Sequence, residues 1–494
     1  MTAITSCLFS WEETDALSDI QRLTRVLNYL PDEHIIEALE AKRGKGRNEY
    51  PVRAMWRALL AGVVFQHRSI KGLIRELRRN PFLLELCGFN PLPLQHKPIV
   101  SLIRDPQTGK MKAERQSGQQ QDTIPNEWNV YRFMRVVASL EAQQGLISKM
   151  MLTLREKLME ELPGFGQHLG YDGKAVLSHS TGHVSRETGS TSDPDADWGK
   201  HETRGIDAKT GKSWTHVKTW FGYRLHLIAD TKYEIPVAFE MTPASHSESK
   251  VLSGMVPDLF AQTPSLAQRC KDFSADRGLD QEALKAQLWD EYGIRPLIDT
   301  RELWREEKKM PNYDPTQPIT RPLYPERADN IIYSEKGQVF CVCPKTQEQR
   351  PLCFQGFESD RNTLKYRCPA AAYGMECQGR GTCYRQAGVN VGEYGRIIRI
   401  NITEQNRRIF TPTPYGSPSW TRGYNRRSAL ERINSRLDQS YGFEDHFIRG
   451  QSSIKAKMGL CLSVMMTLGL ASIKEGQPEL MRSLVSTRSY RSSG

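Results

Sequence analysis

Gly166–Ser180 reads GQHLGYDGKAVLSHS, and here the texture of the chain changes. Leu169, Tyr171 and Val176 alternate with small residues in the manner of a strand, after a long helical stretch. Asp172 stands in the middle, where strand propensity disfavours an aspartate, so its presence asks for a reason. A hairpin turn at Asp172-Gly173 fits the local sequence equally well.

Downstream, Thr219–Ala229 (TWFGYRLHLIA) and Glu234–Thr242 (EIPVAFEMT) read as two more strands joined at Asp230-Thr231-Lys232. A helix over Ser249–Phe260, a strand over Lys271–Ala275 ending in Asp276-Arg277-Gly278, a helix over Asp280–Glu291 and a strand over Ile294–Asp299 follow. The order β-β-β-α-β-α-β predicts an α/β mixed sheet: an antiparallel trio extended by parallel strands, with helices free to cover both faces. Active groups gather at strand ends in such sheets, which is where Asp276 falls. Residues 181–216 read as a loop. Asp193, Asp195 and Asp197 imitate a calcium loop, but Trp198 and Arg204 stand where it needs Gly and Glu, which excludes it.

Residues 1–150 read as helical. Met55–Leu86 carries apolar residues at helical spacing, and Lys71, Arg75, Arg78 and Arg79 gather charge on one side. Short basic helices with tight turns suit a helix-turn-helix or a similar DNA-docking module; a bundle with a solvated basic face fits as well. Arg104–Asp122 is polar and reads as a flexible loop, and a second helical block spans about Asn126–Leu162. From Arg301 to Pro418 the helix-strand rhythm gives way to prolines, glycines and cysteines, before long helices return at Ser419–Ile473. The expected division is 1–160, a helical N-terminal DNA-binding region; 165–300, the first part of the core; 301–418, a cysteine-rich insertion; 419–475, helices completing the core; and 476–494, a tail whose polar end from Ser486 reads as disordered.

The chain has 494 residues, and 68 Lys and Arg against 57 Asp and Glu give a formal charge of +11, which favours an anionic partner. Met458–Ile473, the longest apolar run, falls short of the roughly 20 residues that span a bilayer, so it reads as a buried helix and no membrane is expected. Acids occupy the N-terminal stretch where a signal peptide would be positive, so a cytoplasmic protein is expected. Six of ten cysteines (Cys341, Cys343, Cys353, Cys368, Cys377 and Cys383) crowd together. In a reducing compartment that favours metal over disulfides. Zinc takes four thiolates in a tetrahedron, and Cys343, Cys368, Cys377 and Cys383 are the candidates for a closed structural site, since Cys343-Pro344 and Cys368-Pro369 resemble one another as turns. No C-x2-C pair is present, and free structural cysteines are the alternative. His246 and His446 read as packing or surface groups.

Thr421–Asp438, TRGYNRRSALERINSRLD, sets an acid on a basic helix. At helical spacing Tyr424, Arg427, Glu431 and Asp438 share a face, flanked by Arg422, Arg426, Arg432 and Arg436. Routine surface ion pairs account for this, or else a metal-binding carboxylate has neighbours that hold a polyanion. Asp172, Asp276 and Glu431 are three acids on three elements that the topology can bring together. Mg²⁺ accepts a few carboxylate oxygens, and two such ions support in-line phosphodiester displacement.

These residues resemble the DDE transposases of bacterial insertion sequences whose third acid lies in a Tyr-x2-Arg-x3-Glu-x6-Lys signature. Tyr424, Arg427 and Glu431 match; Asp438 stands at the lysine position, where Arg436 or Arg449 could supply the charge. GYDGKAVLS, KTWFGYRLHLIAD, SADRGLD, ERINSRLDQSYGFEDHFIRG and the N-terminal RNEYPVRAMWRALLAG look like family blocks in family order. The resemblance implies a ribonuclease H-like core and Mg²⁺ or Mn²⁺ held by Asp172, Asp276 and Glu431. It also implies nicking at element ends, attack of the freed 3′-hydroxyl on target DNA, and synapsis by a homodimer at the bacterial nucleoid. Tyr424 and Arg427 would contact phosphate, with Arg426, Arg432, Arg436, Arg75, Arg78 and Arg79 as further DNA-binding candidates. A non-catalytic DNA-binding regulator and a metal-dependent nuclease are the competing readings.

Overall fold

In the computed structural model the described residues are 19–45, 50–90, 94–95, 99–104, 111–116, 120–121, 123–185, 189–206, 213–310, 319–326, 329–386, 394–444 and 446–482. The tail from Ser486 and the N-terminal acidic stretch lie outside them.

Among the described residues five helices come first: α1 Asp19–Tyr29, α2 Glu33–Arg43, α3 Val52–Val64, α4 Ile70–Arg79 and α5 Pro81–Cys87. The α4–α5 turn is written locally. Ser69 caps α4 by accepting from Gly72 N, Asn80 caps α5 by accepting from Leu83 N, and Pro81 occupies the first turn of α5. Leu73, Ile74 and Leu77 are buried, and Arg75, Arg78 and Arg79 face solvent. Strands Ile99–Arg104 and Met111–Gln116 pair antiparallel where the sequence suggested a loop from Arg104 to Asp122. Helices α6 Glu127–Gln144 and α7 Leu146–Glu161 follow, separated by Gly145 at φ 61°.

The sheet begins with β1 His168–Leu177, so Asp172 lies mid-strand and not in a turn. Next come β2 Asp197–Ile206, β3 Ser213–Asp230 and β4 Ile235–Pro243, then helices α8 Glu248–Gln262 and α9 Pro264–Arg269, β5 Asp272–Ala275, helix α10 Glu282–Asp290 and β6 Arg295–Ile298. In space the strands run β4-β3-β1-β5-β6, with β4, β3 and β1 antiparallel and β1, β5 and β6 parallel. Strand β2 pairs only with the first half of β3. The sequence had no strand at β2, because both of its faces are polar and the alternation that marks a strand is missing. Asp193 and Asp195 accept from Gly450 N and Gln451 N at the start of the last helix.

The described residues between 320 and 401 form two antiparallel sheets, one of four strands and one of three, around their own apolar cluster that includes Trp304, Ile331, Leu364 and Phe410. The chain then returns through α11 Pro418–Asn425, α12 Ser428–Tyr441 and α13 Gln451–Lys474. One apolar core joins the N-terminal helices, the sheet, α12 and α13. Helix α13 is long and apolar enough to cross a bilayer, but 83% of its apolar window is buried inside the protein. It packs on α1, α6, α7 and β4. The helix expected over Thr421–Asp438 is two helices, broken at Arg426-Arg427.

A buried ion cluster fastens the segment after Asp276 to the rest. Asp280 meets Lys285 at 2.8 Å and Arg408 at 2.7 Å, and accepts from Arg301 N. Burial pushes its carboxyl up, but Lys285 and Arg408 outweigh that and leave it below the usual carboxylate range. Asp280→Ala strands the buried Lys285 ammonium, so chemical denaturation should show a loss of about 3–5 kcal/mol. An unchanged midpoint would contradict this role.

Candidate active site

The parallel register of the sheet lines up acids. Gly170 pairs with Ser274 and Ala275 with Ile298; carried on, the same register sets Asp172, Asp276 and Asp299 side by side across β1, β5 and β6. Asp172 is half-buried and Asp276 exposed. Asp299 was not singled out from the sequence, since a strand-terminal acid after Ile298 has no local signature; Lys336 lies 3.5 Å from it and Arg277 4.0 Å.

Helix α12 lies along β1. Two helical turns rise about 12 Å, close to the ~13 Å of four strand residues, so Leu430, Asn434 and Asp438 can meet Gly170, Asp172 and Lys174 in step. A Cβ at Gly170 would stand 3.1 Å from Leu430 and 2.7 Å from Thr231, so glycine permits the approach. Asn434 Nδ2 donates to Asp172 Oδ2 at 2.9 Å. Lys174 Nζ reaches Asp438 at 2.6 Å and Glu444 at 2.8 Å. Lys174 of β1 thus brings a lysine ammonium to Asp438, while Arg436 is engaged with Glu234. Arg449 Nε donates to His179 O.

The break between α11 and α12 aims Arg427 inward. Its charge reaches Asp172, its guanidinium stands 5.8 Å from the Tyr424 ring, and Nη2 lies 3.5 Å from Glu431 Oε1. Tyr424 stacks on Trp420 with centroids 4.6 Å apart, and Gly423 lets α11 close on Leu297. Glu431 is mostly exposed, with Arg427 as its ion partner. The structure thus draws Asp172 and Asp276 together but leaves Glu431 engaged beside them. Among the described residues no group of three or more His, Cys, Asp or Glu stands ready to hold a metal ion.

Burial pushes the Asp172 carboxyl up to about 6; Arg427 pulls it down, and Glu248 and Asp276 push it up again. Glu248, also missed in the sequence, lies under Gly173 and pairs with Arg224 at 2.7 Å. Such a carboxylate fits a place where a cation is wanted.

The other candidate cations divide. Arg432 and Arg436 pair with Glu234 at 2.8 and 3.2 Å, and Arg436 also donates to Glu234 O, so both tie α12 to the β3–β4 turn. Arg426 lies 3.6 Å from Asp272, and Arg79 pairs with Glu76 on its own helix. Cys341, Cys343, Cys368, Cys377 and Cys383 line one pocket with Asn330 and Arg396. Cys353 is not part of that lining. Backbone and side-chain donors at Thr346, with Lys345 N, hold the Cys343 thiol down to about 7. His446 is buried, which pushes its imidazole down to about 4.

Residues 12–105 match the family described as a transposase domain (DUF772), and residues 171–467, more than half of the chain, match the transposase DDE domain. No curated protein matches the chain.

Because the folded state raises the Asp172 pKa from about 3.8 to about 6, folding favours its protonated form. The ionised side chain therefore costs stability above pH 6 and nothing below about pH 4, by about 1–3 kcal/mol at most. Asp172→Asn should raise the melting temperature of metal-free protein at pH 8 and leave it unchanged at pH 4. Destabilisation by Asn at pH 8 would contradict the strained carboxylate.

Proposed function

The chain belongs to the DDE transposases of the insertion-sequence type, and on that premise we propose that it cuts DNA at element ends and joins the freed 3′ ends to target DNA. The observation that carries this reading is the parallel pairing of β1 with β5 up to Gly170 and Ser274, which, carried on by two residues, brings Asp172 beside Asp276. The strand order β4-β3-β1-β5-β6 supports reading the core as ribonuclease H-like, with residues 301–418 inserted before the helix of the third acid.

Transposases of this kind generally use divalent metal. Asp172, Asp276 and Glu431 would hold Mg²⁺ or Mn²⁺, which when bound activates the attacking oxygen and stabilises the leaving one. Asn434 occupies one oxygen of Asp172 and fixes the orientation of the other. Arg427 is the hinge of the site: its planar fork suits a DNA phosphate, and turning to phosphate frees Glu431 to face the aspartates. Tyr424, held flat against Trp420, borders the same phosphate. Arg426 stands beside them at the helix break. Arg75, Arg78 and Arg79 present a basic face of α4 to the duplex, whereas Arg432 and Arg436 serve the fold through Glu234. The active form would be a homodimer bridging two ends.

Protein incubated with Mg²⁺ and DNA carrying candidate element ends should yield joined products. Cleavage without joining would favour a nuclease, and binding without cutting a regulator. Asp276→Asn should bind DNA within about twofold of the parent while cutting falls below detection, because it removes a ligand charge with little change of shape; continued cutting by that variant would exclude Asp276.

We propose that Cys343, Cys368, Cys377 and Cys383, which line one pocket but as placed form no group of three able to hold a metal ion, draw together on a structural zinc. Elemental analysis should find one zinc per chain, lost in a Cys368→Ser, Cys377→Ser double variant. Zinc-free, fully folded protein would refute the assignment.

A further inference from the structure

We propose that β2 and the first half of β3 form an arm that lies along duplex DNA running out from the site. The proposal rests on the reading above that DNA crosses Asp172 and Asp276. Residues 213–221 of β3 pair with β2 alone, from Trp198 opposite Phe221 to Ile206 opposite Ser213, while the sheet proper begins at Gly222. Nine residue pairs at ~3.4 Å each make a ribbon about 30 Å long. Trp214 to Thr219 are all exposed, as are Lys200 to Thr203 on the other strand. A two-stranded ribbon with water on both faces is marginal alone, and its length calls for a partner.

One face points to nucleic acid. Direct cross-strand pairing sets His201 beside Lys218, Thr203 beside His216, Gly205 beside Trp214 and Gly199 beside Trp220. Both indoles lie flat across their glycines, since a Cβ at Gly205 or Gly199 would stand 2.4 or 2.3 Å from the ring. Among the described residues this face carries no carboxylate beyond Asp197 at the root. Glu202, further out on β2, is on the opposite face and pairs with Lys200. A smooth strip of indole, imidazole and ammonium suits sugar and phosphate, and a ribbon of this width enters a major groove.

The strip is continuous with the site. At its root Arg224 stacks over Trp220 at 5.2 Å and pairs with Glu248, and Glu248 feels both Asp276 and His201. On β3, Leu227 stands opposite Asp172. Lys218 and Trp214 are nine and thirteen residues back along that strand, about 30 and 43 Å. At 3.4 Å per base pair the arm meets the duplex roughly 9–13 base pairs from the cut.

The test compares full-length protein with a Trp214→Ala, His216→Ala, Lys218→Ala variant, and with Lys218→Glu alone, by fluorescence anisotropy across salt. The probes are a 40-base-pair duplex and a hairpin with an 8-base-pair stem, too short to span site and arm. The triple variant should bind the long duplex at least tenfold more weakly, with the salt slope reduced by about one. Lys218→Glu should lose affinity in the same direction, and the short stem should be bound equally by all three proteins. Equal affinity for the long duplex overturns the arm, as does an equal loss on both probes. Lost self-association with unchanged long-duplex affinity would also overturn it, marking the ribbon as a contact between copies. Cleavage separates the premises: an arm-dependent binder that never cuts defeats the transposition chemistry alone, and a cutting enzyme indifferent to these substitutions defeats the arm alone.

Discussion

The contact of Leu430 with Gly170 sets how closely α12 can lie on β1, and the candidate site depends on that distance. A side chain at position 170 would collide with Thr231, Ser274 and Leu430 at once. With the helix seated there, one turn further on Asn434 reaches Asp172, and another turn brings Asp438 to Lys174. Buried Ile433 and Leu437 hold the helix in that register. The acids from the sheet are fixed by backbone pairing, and the acid from the helix by packing.

This division explains the charge balance. Asp172, Asp276 and Asp299 stand in a row that would repel itself, and the chain answers with cations set at the margins: Arg427 toward Asp172, and Arg277 and Lys336 toward Asp299. Glu431 is the odd member, held by Arg427 on the rim.

Much of this was legible in the sequence where burial imposes a period. The core strands and the helices between them were readable because their apolar faces repeat every two or 3.6 residues, and Asp172 stood out against a strand background. The β2–β3 ribbon was not, because its residues are polar or aromatic on both faces and no core selects between them. The break at Arg426-Arg427 was hidden too: Arg426, Arg427 and Ser428 are acceptable in a helix, and the close packing of α11 at Gly423 on Leu297 leaves no local signature. The pairing of Arg432 and Arg436 with Glu234 was hidden for the same reason, since Glu234 lies some 200 residues away in sequence.

On the proposed mechanism, Glu431 joins Asp172 and Asp276 around one ion once DNA has drawn Arg427 away. Iron-directed cleavage of the polypeptide tests it directly: Fe²⁺ replaces Mg²⁺, ascorbate and peroxide generate radicals at the metal, and the backbone cuts are mapped with and without a 40-base-pair duplex. Cuts are expected near residues 172 and 276 in both states and near 431 only with DNA. Cuts near 172 and 276 that never extend to 431, or none at any of the three, would contradict it.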